Sequence, residues 1–141
     1  DVYKRQMYFR GYYWFLSNFY PVTLRDMEYP TITYGSVEAA FQAAKTLSYE
    51  ERKAFESLSP REAKRLGRRV FLRPNWDSIK EEIMESYLRQ KFSIPMLRKR
   101  LEAIEEPLVE DNTWGDRYWG RVNGRGLNRL GALLEKIKKE G

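Results

Sequence analysis

Three polar residues fall on one side of a short alanine-rich segment: Glu38, Gln42 and Lys45, in S-V-E-A-A-F-Q-A-A-K from Ser36. Positions i, i+4 and i+7 of a helix share a face, so a carboxylate, an amide and an ammonium line up beside Phe41. Such a face could hold a polar ligand. An ordinary solvated Glu-to-Lys stripe is the plainer reading of the spacing alone. Alanines at the neighbouring positions imply a helix packed on most sides, which favours the ligand reading.

A second constellation is the loop N-T-W-G-D-R-Y-W-G, Asn112 to Gly120, with Trp114, Trp119, Tyr118 and Asp116. Flat rings stack on heterocycles, and an aspartate set between them could face a sugar or a water. The alternative is a satellite aromatic cluster under a glycine-rich turn. N-G-R-G-L-N-R-L-G, from Asn123, contains G-x-G without the preceding strand of a nucleotide fingerprint, so it reads as a turn before a helix. Asn18, in an aromatic segment, binds a ligand or caps its own backbone. Trp76 reads as a stacking wall or as core.

The composition narrows the chemistry. Cys and His are both 0, which excludes thiolate nucleophiles, Ser-His-Asp arrangements and Cys/His zinc sites. Carboxylates, lysine, tyrosine or a hydroxyl must carry any reaction. No metal or cofactor is expected, an all-oxygen magnesium site being the class left open. The net charge of +6 is unevenly spread. Arg61 to Arg73 holds six bases against Glu62, whereas Glu102 to Asp116 holds six acids and no Lys or Arg. Basic stretches favour a phosphate-bearing ligand; the acidic one argues against a chain built to coat nucleic acid. With no long apolar run and no secretory signal, the expectation is a cytoplasmic protein without a membrane partner.

The elements that must position these residues follow from periodicity and caps. The 141 residues, 42% hydrophobic and 15% aromatic, suit one helix-rich α+β domain with its strands in the first 35 residues. Residues 1–6 read as a tail and 7–141 as the domain. Met7 to Pro21 predicts one or two short strands, and Val22–Met27 with Tyr29–Tyr34 a hairpin around Asp26 to Glu28. Helices are expected from Ser36 to Leu47, from Glu50 to Leu58, and from the Ser59-Pro60-x-Glu62 capping box to Gly67. A long amphipathic helix capped by Asp77 or Ser78 follows, with Ile79, Ile83, Tyr87, Leu88 and Phe92 on one side. Pro95 opens another carrying Leu97, Leu101 and Ile104. A short strand at Leu108–Glu110, a loop from Asn112 to Gly126 and a helix from Leu127 complete the chain.

In order, F-L-S-N-F-Y-P, S-V-E-A-A-F-Q-A-A-K, A-K-R-L-G-R-R-V-F-L-R-P-N-W-D, Y-L-R-Q-K-F and L-V-E-D-N-T-W-G-D-R-Y-W-G-R-V-N-G-R-G-L-N-R-L-G resemble the YbiA-like family, also called NADAR domains, over about Met7 to Lys138. The resemblance implies a small helix-rich α+β N-glycosidase. Some members hydrolyse phosphorylated pyrimidine ribosylamines of the riboflavin pathway to ribose 5-phosphate and free base. Others are linked to ADP-ribose metabolism, including its removal from guanine bases. Carried over, the family's helix glutamate is Glu38, followed by Gln42 and Lys45. Its aspartate is Asp116, before Trp119 and Gly120; Asn128 and Gly131 match a late N-x-x-G, Asn18 an early S-N, and Trp76 a central tryptophan. Many members have Glu-His-Tyr where this chain has Glu38-Ala39-Ala40, so that histidine is not available as a proton carrier.

On this reading Glu38 or Asp116 is the catalytic carboxylate, Glu38 preferred because a helix fixes it better than a loop. Trp119, helped by Trp76, stacks the base; Lys45 with Arg68 or Arg69 holds phosphate. The expected partner is a small phosphorylated nucleoside-like substrate. Two rivals are ADP-ribosylated nucleic acid as substrate, and a non-catalytic module binding ADP-ribose or RNA.

Overall fold

In the computed structural model, residues 6–140 are described, so most of the segment read as a tail lies outside them. The chain divides into two units, one running from Asn18 to Lys91 and one formed by the segments up to Ser17 and from Phe92. It is a helix-rich α+β fold with a small N-terminal β portion.

In the Asn18–Lys91 unit, strands β1 (Leu24–Arg25) and β2 (Thr33–Tyr34) pair antiparallel, Leu24 opposite Tyr34. The expected hairpin is present with shorter strands. Asp26 closes its turn: Oδ1 accepts the N–H groups of Glu28 and Tyr29, each at 2.8 Å, and Oδ2 accepts the Tyr34 hydroxyl at 2.6 Å. Helix α1 (Val37–Ala43) starts at Ser36, whose side chain accepts the Ala39 N–H. It stops short of Leu47 because the chain tightens after Ala43, the Lys45 and Thr46 N–H groups bonding the Gln42 and Ala43 carbonyls three residues back. Arg73 donates to the oxygens of Ala44 and Lys45, and Arg52 Nε to that of Thr46. Helices α2 (Tyr49–Lys53) and α3 (Pro60–Leu66) carry caps at Ser48 and Ser59, the second a complete capping box with Glu62.

Helix α4 (Trp76–Lys91) begins one residue before the predicted Asp77 cap, directly after Asn75 at φ +61. That left-handed residue sets the boundary. Tyr87 and Leu88 are buried as expected, along with Trp76 and Met84, whereas Ile79 and Ile83 are half-buried. Helix α1 packs against α3 and α4, and every residue of α1 is buried.

In the other unit, Gly11–Leu16 forms a 3-10 turn of helix, not the predicted strand. Gly11 sits at φ +58, Ser17 donates to the Trp14 carbonyl, and the adjacent Phe15 and Leu16 are both buried. An alternating strand could not bury two neighbours on one side. Phe15 meets Phe92 edge-on at 6.4 Å, and the Arg100 guanidinium covers its ring at 4.1 Å. Helix α5 (Pro95–Glu102) buries Leu97 and Leu101; helix α6 (Arg129–Glu140) buries Leu130, Leu134 and Ile137. Leu127, predicted to open the last helix, is 63% exposed, because Asn128 at φ +53 delays the start to Arg129.

No strand forms at Leu108–Glu110; Asp111 makes single bridges to Tyr8 and Arg121. The Asn128 amide stands where a strand neighbour would. Its Oδ1 accepts the Glu110 N–H at 3.0 Å and its Nδ2 donates to the Leu108 carbonyl at 3.0 Å. Gly131 permits this, since a Cβ there would lie 2.2 Å from the Leu108 oxygen. Among the described residues no helix is long and apolar enough to cross a membrane, and no group of three or more Asp or Glu could hold a metal ion.

Candidate functional site

Six of the predicted site residues lie in the Asn18–Lys91 unit. Glu38 occupies the first turn of α1 and is 8% exposed. Its backbone N–H, one of the donors a helix start leaves unsatisfied, goes to the Asn18 carbonyl at 3.0 Å. Asn18 is therefore seated beside Glu38, and its Nδ2 contacts Met84 Sδ at 3.6 Å. One turn on from Glu38, Gln42 is buried, with its Oε1 lodged against Gly67. Asn18 Oδ1 and Gln42 Oε1 are buried oxygens with no hydrogen-bond partner. Buried amides are almost always paired, so two orphan acceptors, one a turn on from Glu38 and one on the residue bonded to its backbone, call for donors from outside the protein.

Lys45 is half-buried at the end of this face. Burial pulls its ammonium below the usual lysine range, Glu38 pushes it back up, and the charges of Arg68, Lys64 and Lys80 lower it further. Glu38 and Arg68 thus lie within electrostatic reach of Lys45, as do Lys64 and Lys80, which the sequence reading did not select. Trp76 is buried against Phe41, ring centroids 5.1 Å apart. It forms a wall of α1's surroundings with little ring surface to offer.

Asp116, Trp119 and Asn128 belong to the other unit. Asp116 Oδ1 accepts the N–H groups of Tyr118 at 3.0 Å and Trp119 at 2.9 Å, an Asx turn that fixes the Trp119 backbone. Trp119 is half-buried and meets Tyr118 edge-on at 4.9 Å. Asn112 clasps the same loop, its side chain bonding both the N–H and the carbonyl of Asp116. Both polar atoms of the Asn128 amide are engaged with backbone, as described above.

A cleft of about 220 Å³ lies in the Asn18–Lys91 unit, lined by Glu28, Arg52, Arg73, Ile79, Ile83 and Tyr87 among others. None of the predicted site residues lines it. Its guanidinium groups are matched by Glu28, at 2.8 Å from Arg52 and 3.7 Å from Arg73, so little net charge is left to draw an ionic ligand.

The fold defines a class, the helix-rich α+β domain with a polar face on its first buried helix. A solved structure with this fold, the NMR structure of the E. coli protein YbiA, superimposes with a TM-score of 0.80 at 36% identity, over 95% of this chain and 83% of that one. The N-glycosidase YbiA of Shigella boydii serotype 4 is 37% identical over 131 residues, 88% of this chain and 79% of that protein. The chloroplastic riboflavin biosynthesis protein PYRR of Zea mays is 30% identical over 141 aligned residues, covering 88% of this chain and 23% of the maize protein. The NADAR domain model matches residues 7–140. The chain belongs to the NADAR, or YbiA-like, family.

Proposed function

We propose that this protein is an N-glycosidase acting on phosphorylated pyrimidine ribosylamines of the riboflavin pathway, releasing ribose 5-phosphate and the free base. The observation that carries the reading is the pair of unpartnered buried amide oxygens on Asn18 and Gln42, with the buried Glu38 one turn before Gln42 and Lys45 in electrostatic reach of both Glu38 and Arg68. Amide and carboxylate oxygens accept from sugar hydroxyls and base N–H groups; the cations suit a phosphate. Relatives named N-glycosidase and a relative named for riboflavin biosynthesis support the substrate class.

In the proposed step the C1–N bond breaks with its electron pair leaving on nitrogen, and ribose C1 gains oxocarbenium character. Glu38 stabilises that charge and takes a proton from the water whose oxygen bonds to C1. The leaving nitrogen receives a proton from solvent, since no histidine stands beside Glu38. Asn18 and Gln42 orient hydroxyls, and Lys45 with Arg68 holds the 5-phosphate. Asp116 has one oxygen committed to its own turn, which favours Glu38 as the water-activating group.

The test is a panel of N-glycosides incubated with the protein and with Glu38→Gln, products read by mass spectrometry. Ribose 5-phosphate and free base from ribosylamine phosphates, absent with the variant, are expected. Release only from ADP-ribosylated guanosine would transfer the same chemistry to the rival substrate, and binding without release would make the protein a reader of such ligands.

A further inference from the structure

The cleft of about 220 Å³ in the Asn18–Lys91 unit is unused by the glycosidase reading. One wall comes from α4, where Ile79, Ile83 and Tyr87 follow one another at four-residue steps and so share a face. That stripe has the spacing of core residues, yet Ile79 and Ile83 are only half-buried. Met27 and Ala44 add further apolar surface. Water held against such walls has few partners, and an apolar group that displaces it gains free energy.

One buried polar group of the cleft has a hydrogen to give. Tyr87 is 2% exposed, and its hydroxyl accepts the Met27 N–H at 3.3 Å. Among the described residues no acceptor takes the hydroxyl proton in turn. Burial pushes the pKa of this phenol up to about 12, so the proton stays on it at neutral pH. The cations of the cleft, by contrast, are committed. Arg52 gives Nε to the Thr46 carbonyl and its two terminal nitrogens to Asp26 and Glu28. Arg73 donates to the Ala44 carbonyl, with Glu28 at 3.7 Å. Glu82, also on the lining, is exposed and disfavours an anion there.

We propose that this cleft is a binding site distinct from the Glu38 face, taking a small neutral molecule with an apolar body and one carbonyl-type oxygen that accepts from Tyr87. The apolar walls hold the body, and the buried hydroxyl selects for the acceptor. The volume falls below the roughly 300–1,000 Å³ of pockets for drug-sized ligands. It equals the liquid share of about seven waters, which suits a single ring with one substituent. The inference stands apart from the glycosidase reading, since none of the residues assigned to that reaction lines the cleft.

The experiment is titration of acetophenone into the isotope-labelled full chain, followed by amide NMR spectra, with ethylbenzene and benzoate as comparisons. Ethylbenzene has similar bulk without an acceptor; benzoate has the acceptor with a charge. Acetophenone should shift the Met27 amide, whose N–H rests on the Tyr87 hydroxyl, and bind about fivefold more tightly than ethylbenzene. Benzoate should bind more weakly than acetophenone. Tyr87→Phe should bring acetophenone down to the affinity of ethylbenzene, and Ile83→Gln, on the half-buried wall, should weaken both. Equal binding of acetophenone and ethylbenzene to the parent chain would overturn the proposal. So would tighter binding of benzoate, or no shift of the lining amides up to the solubility limit of the ligands. If Tyr87→Phe does not fold, the ranking of the ligands on the parent chain decides.

Discussion

Gln42 and Gly67 share one space: a Cβ on Gly67 would stand 2.0 Å from Gln42 Oε1 and 2.8 Å from its Cδ. Gly67 has an ordinary helical φ of −59, so it is glycine for room and not for backbone freedom. Gly67→Ala should therefore displace the Gln42 amide and spare the chain trace. We expect stability to fall by about 1–3 kcal/mol and kcat/KM to fall further than that loss explains. Steady-state kinetics beside a urea melt checks it; full activity in a folded variant would remove Gln42 from the site.

Glu38→Gln preserves shape but cannot take a proton. Turnover should drop by roughly 10²–10⁴-fold with a nearly unchanged melting temperature. Asp116→Asn keeps the oxygen that accepts from Tyr118 and Trp119, so it should fold normally. A larger loss of turnover in Asp116→Asn than in Glu38→Gln, measured in single-turnover assays, would reverse the assignment.

Asp26 and Arg52 are both 2% exposed and lie 3.2 Å apart, with Glu28 on the far side of the guanidinium. Arg52→Met leaves the Asp26 carboxylate buried without its cation and should cost about 3–5 kcal/mol. Chemical denaturation measures this directly. A loss under 1 kcal/mol would mean that Tyr34 and the turn amides suffice.

Lys91 is wholly buried at the end of α4, its Nζ 5.5 Å from the centroid of the Tyr20 ring. Burial brings its pKa down from 10.5 to about 7. Between those values the folded state holds fewer protons than the unfolded chain, so stability should climb as pH rises from about 7 toward 10.5. Below that window the cost of burying the charge is felt in full. Lys91→Met should raise the pH 7 melting temperature by roughly 5 °C and flatten the slope between pH 7 and 9. An unchanged slope would show that Lys91 does not titrate there.

Local rules read well from the sequence. Ser36, Ser59 with Glu62, and the hairpin around Asp26 are decided by residues within a few positions of one another, and so is the face holding Glu38, Gln42 and Lys45. What stayed hidden depends on distant partners. The Arg73 and Arg52 donors that take the carbonyls following α1 come from well beyond it, and the Asn128 amide takes the place of a strand beside Leu108 and Glu110. Lys64 and Lys80 come within electrostatic reach of Lys45 from α3 and α4, which pack on α1; the first is one base among six in its stretch and the second lies outside it. The aromatic run from Tyr12 to Phe15 misled because ring content favours strands, while the left-handed Gly11 bends this one into a 3-10 turn.

Met7 and Asp111 are bonded in both directions, the Met7 N–H to Asp111 Oδ2 at 2.6 Å and the Asp111 N–H to the Met7 carbonyl at 3.0 Å. They lie 104 residues apart in a unit whose two segments flank the other one. On a translating ribosome, the stretch from Asn18 to Lys91 is finished before Asp111 has been made. The unit that starts first must be completed last, so the helix bearing Glu38 can fold while the first residues still wait for their partners.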